Sequence, residues 1–138
     1  MQSQLSIYET PAIDRLRQEL RYDPQALRRF RNALLKHCRS DADALAELPA
    51  DVRDQFASRV DLHALELHSR NDSQQDGATK LLFRTRAGML IESVILRIAT
   101  GRTTLCVSSQ VGCAAACDFC ATGTMGIAQN LHSAKILD

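Results

Sequence analysis

The residues of this 138-residue chain with the most chemistry in them are its five cysteines, and four of these crowd together as Cys106, Cys113, Cys117 and Cys120. The last three form a C-x₃-C-x₂-C loop, Cys113-Ala-Ala-Ala-Cys117-Asp-Phe-Cys120. Three thiolates this close in sequence can hold three corners of an iron–sulfur cube, because such clusters are ligated by cysteine thiolates. Small residues between the ligands let the backbone wrap closely and turn N–H groups toward the sulfides, which tunes the cluster. A three-cysteine loop leaves one iron without a protein ligand, and an open iron is a catalytic arrangement. The spacing differs from the ferredoxin run C-x₂-C-x₂-C-x₃-C. No second cysteine or histidine knuckle follows to complete the usual zinc pattern. On spacing alone, zinc and plain buried thiols stay open as alternatives. His37, His63, His68 and His132 have no metal-ligand spacing.

The wider sequence around this loop resembles a known family. C-x₃-C-x₂-C with an aromatic before the last cysteine is similar to the radical S-adenosylmethionine (SAM) enzymes. Cys106-Val-Ser-Ser-Gln-Val-Gly-Cys113, Phe119-Cys120-Ala-Thr-Gly, Gly126 and Asn130-Leu131 resemble more narrowly the radical-SAM adenine-C2 methyltransferases of 23S rRNA, the RlmN/Cfr family. Asp76-Gly77-Ala-Thr-Lys80 and Ile91-Glu92-Ser-Val94 extend the likeness upstream, so that it covers about residues 76–137.

The resemblance implies a set of roles. Cys113, Cys117 and Cys120 would hold a [4Fe–4S] cluster whose open iron binds SAM, with Phe119 beside the cofactor. Reduction of SAM would release a 5′-deoxyadenosyl radical, which takes hydrogen from a methylated cysteine far along the chain. The resulting carbon radical adds to adenine carbon-2. Cys106 matches the second cysteine, which frees the product by a transient disulfide, and Glu92 matches the family's proton acceptor. Adenine carbon-2 is neither acidic nor nucleophilic, so a radical cofactor makes chemical sense there. The implied partners are 23S rRNA, tRNA as a second candidate substrate, and a flavodoxin-like electron donor. The implied protein is a cytoplasmic monomer. Gln129 stands where the family usually has arginine, and Lys135 where it usually has glutamate.

Taken without the resemblance, the bland readings are that Glu92 is a polar residue on an exposed strand face and that Cys106 is a small buried hydrophobe. A non-catalytic RNA- or partner-binding module from a truncated gene is the competing function. The expected chain end at Asp138 omits the methyl-carrying cysteine and most SAM-binding residues, so the 138 residues alone are expected to be inactive.

The elements that must position these residues are expected to form an α+β assembly. A small helical accessory domain occupies residues 1–60. A β extension or linker of short antiparallel strands follows over 61–102. Residues 103–138 are expected to supply the first strand, the cluster loop and the start of the first helix of a truncated radical-SAM partial α/β barrel. Thr10 is expected to cap one helix ahead of Pro11, with Ile13, Leu16 and Leu20 at helical spacing. Asp23-Pro24 opens a second helix, with Leu27, Phe30, Leu34 and Cys38 as its apolar stripe. A third is expected over Asp43–Glu47, and a fourth from Pro49 burying Val52, Phe56 and Val60. Leu65 and Leu67 alternate with polar residues as a short strand, and 71–77 reads as a polar turn. Lys80–Arg84 and Leu90–Arg97 read as a hairpin about Ala87-Gly88. Thr103–Val107 is a further strand, and 108–126 is expected to form no conventional element. His132–Leu137 opens a helix.

Composition excludes other classes. Hydrophobic residues make up 45% and charged residues 24%, a globular balance that argues against disorder. No apolar run approaches the ~20 residues of a membrane span, and the N-terminus has no secretory pattern. Net charge is only +1, but its distribution is uneven. Residues 14–39 carry eight basic side chains against three acids, and residues 41–76 carry nine acids against three arginines. The first segment is either an RNA-facing surface or a solvated helix face.

Overall fold

The computed structural model describes residues 4–138, which divide into two compact units between His63 and Ala64. Helices build the first unit. In α1 (Thr10–Leu20), Pro11 sits in the first turn, where its missing N–H has no role to fill. The N–H groups of Ala12 and Ile13 both reach the Glu9 carbonyl, so Glu9 rather than Thr10 occupies the cap position and Thr10 lies inside the helix. The helix stops at Arg21, whose φ of 54° is left-handed.

The Asp23 carboxylate accepts the Gln25 N–H at 2.9 Å and starts α2 (Pro24–Arg31). This helix runs on into one wide π turn, Asn32–Lys36, closed by the His37 N–H on the Asn32 carbonyl. A π turn contributes one residue more than an α turn, so it rotates the apolar stripe. Leu27, Phe30 and Leu34 are buried, whereas Cys38 falls past the helix end at φ 46° and is exposed. The core role expected for Cys38 is therefore corrected.

Ser40 caps α3 (Asp41–Leu45) by accepting the Asp43 N–H, which starts this helix two residues ahead of the expected position. In α4 (Ala50–Arg59), Val52 and Phe56 face the core. Val60 is buried with them as expected, but from a strand that follows the helix. Strands β1 (Leu5–Ser6) and β2 (Val60–Asp61) pair in parallel, Leu5 opposite Val60, a contact with no periodic signal in either segment. Phe30 and Phe56, both fully buried, meet edge to face at 5.2 Å at the centre of this unit.

The second unit is built on a four-stranded antiparallel sheet in the order β3 (Leu65–Asp72), β4 (Thr79–Thr85), β5 (Leu90–Arg97) and β6 (Thr103–Val107). β3 is longer than the sequence suggested. A register shift between Leu67 and Ser69 keeps it paired to Asp72, where Asp72 accepts hydrogen bonds from Arg70 and from buried Thr79. Strand alternation puts Leu81, Phe83, Ile91, Ile95 and Leu105 on one face, where with Ile136 and Leu137 of α6 (Ser133–Leu137) they line a cavity of about 290 Å³. Residues Lys80, Leu82, Glu92, Val94 and Cys106 occupy the other face, by the registers Lys80–Val94, Leu82–Glu92 and Val94–Cys106. Beyond β6, the stretch 108–126 expected to be irregular forms β7 (Gln110–Gly112) and a single helical turn α5 (Ala121–Thr124), and β8 (Ile127–Asn130) follows, antiparallel to β7. Helical unit and antiparallel sheet together match the α+β expectation. Among the described residues, no helix is long and apolar enough to cross a membrane.

Candidate functional site

The cysteine loop runs from the end of β7 to the start of β8 and is closed at its base by backbone. Gly112 pairs with Ile127, and the Cys113 N–H bonds the Gly126 carbonyl at 3.0 Å. Gly112 has a φ of 79°, and a Cβ there would lie 1.9 Å from the Gly126 oxygen, so only glycine fits. Within the loop, Ala116 adopts a left-handed φ of 48° and the Cys120 N–H reaches the Cys117 carbonyl. Gly123 packs directly on Cys117: an added Cβ would stand 2.8 Å from the Cys117 nitrogen and 2.9 Å from its oxygen.

The sulfurs sit among amides. The Cys113 sulfur accepts the Ala115 N–H at 3.4 Å. Backbone N–H groups of Gly123 and then Thr122 hold the Cys120 thiol below the ordinary thiol range, because hydrogen bonds to the thiolate favour the charged form. Thiolate-favouring amides and small intervening residues are the surroundings an iron–sulfur cluster needs, so the donor set fits such a group. Among the described residues, no three cysteine, histidine or carboxylate side chains are gathered as a metal site. The loop thus provides ligand types and amide donors without drawing the three sulfurs into coordination.

Beside the loop lies a second cavity, of about 400 Å³, whose walls include Glu92, Val94, Cys106, Gln110, Thr122 and Met125. Glu92 and Cys106 therefore share one concave space although 14 positions separate them. Val94 stands directly opposite Cys106 and two residues from Glu92, so the acid and the thiol flank it. The Ser108 hydroxyl donates to the Glu92 carbonyl at 2.6 Å and fastens the end of β6 to β5. Cys106 is exposed, and all five cysteines are free thiols. Phe119 is 93% exposed and packs on nothing that would fix its ring.

Three residues that the sequence reading quoted within its motifs but gave no role contribute to the site. Gly112 and Gly123 matter through close approach, which spacing does not reveal. Lys80 forms an ion pair with Glu92 at 2.9 Å. Its signal was available, since the Ala87-Gly88 turn fixes the register that brings these two long polar side chains to one face.

The basic segment 14–39 is partly spent on its own fold. Arg17 donates to the Tyr22 carbonyl, Arg31 to the Ile7 carbonyl and the Thr10 hydroxyl, and Arg29 and Arg39 both pair with Glu47. Arg15, Arg21, Arg28 and Lys36 remain exposed.

No family model matches the chain. A probable RNA methyltransferase of Rhodopirellula baltica is 59% identical over 132 residues, 96% of this chain and 33% of that protein. The dual-specificity RNA methyltransferase RlmN of Anaeromyxobacter dehalogenans is 46% identical over 96 residues, 70% of this chain and 25% of its own length. Among solved structures, a radical SAM methyltransferase from Sphaerobacter thermophilus superposes with a TM-score of 0.83 at 32% identity, covering 96% of this chain and 39% of that one. The chain is homologous to the N-terminal portion of RlmN-type radical-SAM RNA methyltransferases. It spans about a third of the length of these relatives. In RlmN terms, the C-x₃-C-x₂-C loop and the Glu92–Cys106 face both belong to the matched portion.

Proposed function

We propose that this chain supplies the cluster loop and part of the base-facing wall of a radical-SAM methyltransferase acting on adenine carbon-2 of 23S rRNA, with tRNA as a second substrate. The observation that carries this reading is the C-x₃-C-x₂-C loop, two of whose thiols already accept backbone N–H groups. Cys113, Cys117 and Cys120 would hold the [4Fe–4S] cluster, which supplies a single electron to bound SAM. Phe119 then covers the cofactor. Residues 103–138 open the barrel, residues 61–102 form the β extension, and residues 1–60 serve as the accessory domain that helps hold structured RNA through Arg15, Arg21, Arg28 and Lys36.

Glu92 takes the proton that leaves carbon-2, a role suited to a carboxylate on the wall of the cavity. Cys106, as its thiolate, attacks the sulfur of the methyl-carrying cysteine: the sulfur–sulfur bond forms as the carbon–sulfur bond breaks, and the bonding pair passes to the base's methylene carbon, which takes up the proton given up by the Cys106 thiol to become the methyl group. That cysteine is no residue of this chain's cluster loop and is assigned to the remainder of the catalytic protein. The working protein is a cytoplasmic monomer that takes its electron from a flavodoxin-like donor.

The test is anaerobic reconstitution of the chain with iron and sulfide. The expected result is one cluster per chain, lost in the Cys113→Ala/Cys117→Ala/Cys120→Ala variant. Equal iron and sulfide in both would overturn the reading.

A further inference from the structure

Glu92 stands opposite Leu82 on β4, an apolar neighbour that cannot orient a carboxylate. Its diagonal neighbours on that strand are Lys80 and Arg84, each within reach of a long side chain across an antiparallel pair. The two cations lie on opposite sides of Leu82, each ~7 Å from it along the strand. They are not equivalent. Arg84 directs its guanidinium to Nδ1 of His68 at 2.7 Å. Lys80 is the one that closes on Glu92, Nζ to Oε2 at 2.9 Å.

The choice sets where the carboxylate rests. Lys80, Val94 and Cys106 form a single cross-strand row over β4, β5 and β6. Both cations lie on β4, on the side of β5 opposite Cys106, so the two pairings differ along the strand: Lys80 draws the carboxylate toward the Val94 position, and Arg84 would draw it toward Leu90. With the ion pair made, carboxylate and thiol flank the Val94 side chain from its two sides. Ser108 holds the Glu92 backbone from the β6 side, so the side-chain torsions are left for Lys80 to settle.

We propose that Lys80 is a positioning residue, whose ammonium selects the Glu92 rotamer that leans to the β4 side of Val94, across that side chain from Cys106. This rests on the reading of Glu92 and Cys106 as the acid–base and thiol groups of the site. Lys80 itself need touch no substrate.

The experiment measures the Glu92 χ1 by three-bond NMR couplings in the 138-residue chain, with Lys80→Met, Lys80→Arg and His68→Ala variants. The parent chain is expected to favour one χ1 rotamer. In Lys80→Met the population of that rotamer should fall about two- to fivefold relative to its alternatives, as expected for an exposed ion pair, and Lys80→Arg should restore it. His68→Ala, which frees Arg84 to compete, should shift the population in the same direction as Lys80→Met. Amide shifts confined to β4 and β5 would verify that the sheet is intact. An unchanged χ1 in Lys80→Met overturns the proposal and leaves the role of Glu92 standing. Carbon-2 methylation by a full-length methyltransferase with glutamine at the Glu92 position would instead overturn that role, whatever the couplings show.

Discussion

The α-carbon of Gly123 lies against the backbone of Cys117, so close that a single added methyl would come within 2.8 Å of the Cys117 nitrogen. Backbone cannot yield as a flexible side chain can. Gly123→Ala is therefore expected to displace either the Cys117 segment or the α5 amides that face the Cys120 sulfur. Iron and sulfide content after anaerobic loading should fall well below that of the parent chain, with the circular dichroism of the helical unit unchanged. Gly112→Ala combines a clash with a left-handed φ and should cost at least about 1–3 kcal/mol, read as a lower denaturant midpoint.

Tyr22 gives a pH dependence. Its ring is 6% exposed and packs on Phe56, and no described residue offers its hydroxyl a hydrogen bond. Burial, the largest influence, pushes the phenol from 10.0 up to about 12. The folded chain thus keeps the proton where the unfolded chain has begun to lose it. Stability from this group is complete below about pH 10 and drains away as pH climbs toward 12, by on the order of 2 kcal/mol. Urea titrations at about pH 8, below the window, and at about pH 10 and 11.5, within it, would show the midpoint falling in the parent and falling less in Tyr22→Phe. Because that variant also removes an unsatisfied buried hydroxyl, it should be no less stable than the parent at neutral pH.

Phe30 and Phe56 form the centre of the helical unit, both with no exposed surface. Truncating a buried aromatic in this setting costs about 3–5 kcal/mol. Phe30→Ala should accordingly melt the helical unit at far lower denaturant, followed by circular dichroism at helix wavelengths. A loss under about 1 kcal/mol would contradict the packing described.

Cys38 offers a test of the π turn. A residue on an apolar helix stripe should resist change, whereas one at φ 46° and exposed should accept glycine. Cys38→Gly is expected to be neutral or to stabilise by up to about 1 kcal/mol, and Cys38 should react with a thiol reagent in the folded chain at nearly the rate seen in urea.

The sequence was most legible where one local signal sufficed. β5 and β6 lie where the strand pattern and the turn at Ala87-Gly88 put them, and Asp23-Pro24 starts a helix as its chemistry requires. It was least legible where the decisive contact is remote or small. The β1–β2 pair joins residues 55 positions apart over two residues each, too short to leave a pattern. The π turn leaves no mark in an apolar stripe until one position too far. At the site, the motif cysteines could be read directly because their chemistry depends on residue type. The Lys80–Glu92 pair could be found only by carrying the hairpin register through to the side chains. The glycines packed on the loop depend on interatomic distances that no spacing encodes.

The β7–β8 pairing has a consequence for how the loop meets its ligand. Gly112 and Ile127 are already register partners, closed by the Cys113 N–H on the Gly126 carbonyl, with the Leu131 N–H on the Ser109 carbonyl and the Gln110–Asn130 amide contact tying the ends further. Bringing together the ends of a flexible segment this long costs on the order of 2 kcal/mol of chain entropy. Here the strands bear that cost during folding, before any metal arrives. If the loop takes up the proposed cluster, loading has only to draw three sulfurs inward over a base already closed, so the loop should bind iron and sulfide faster and more tightly than the same residues cut out as a free peptide.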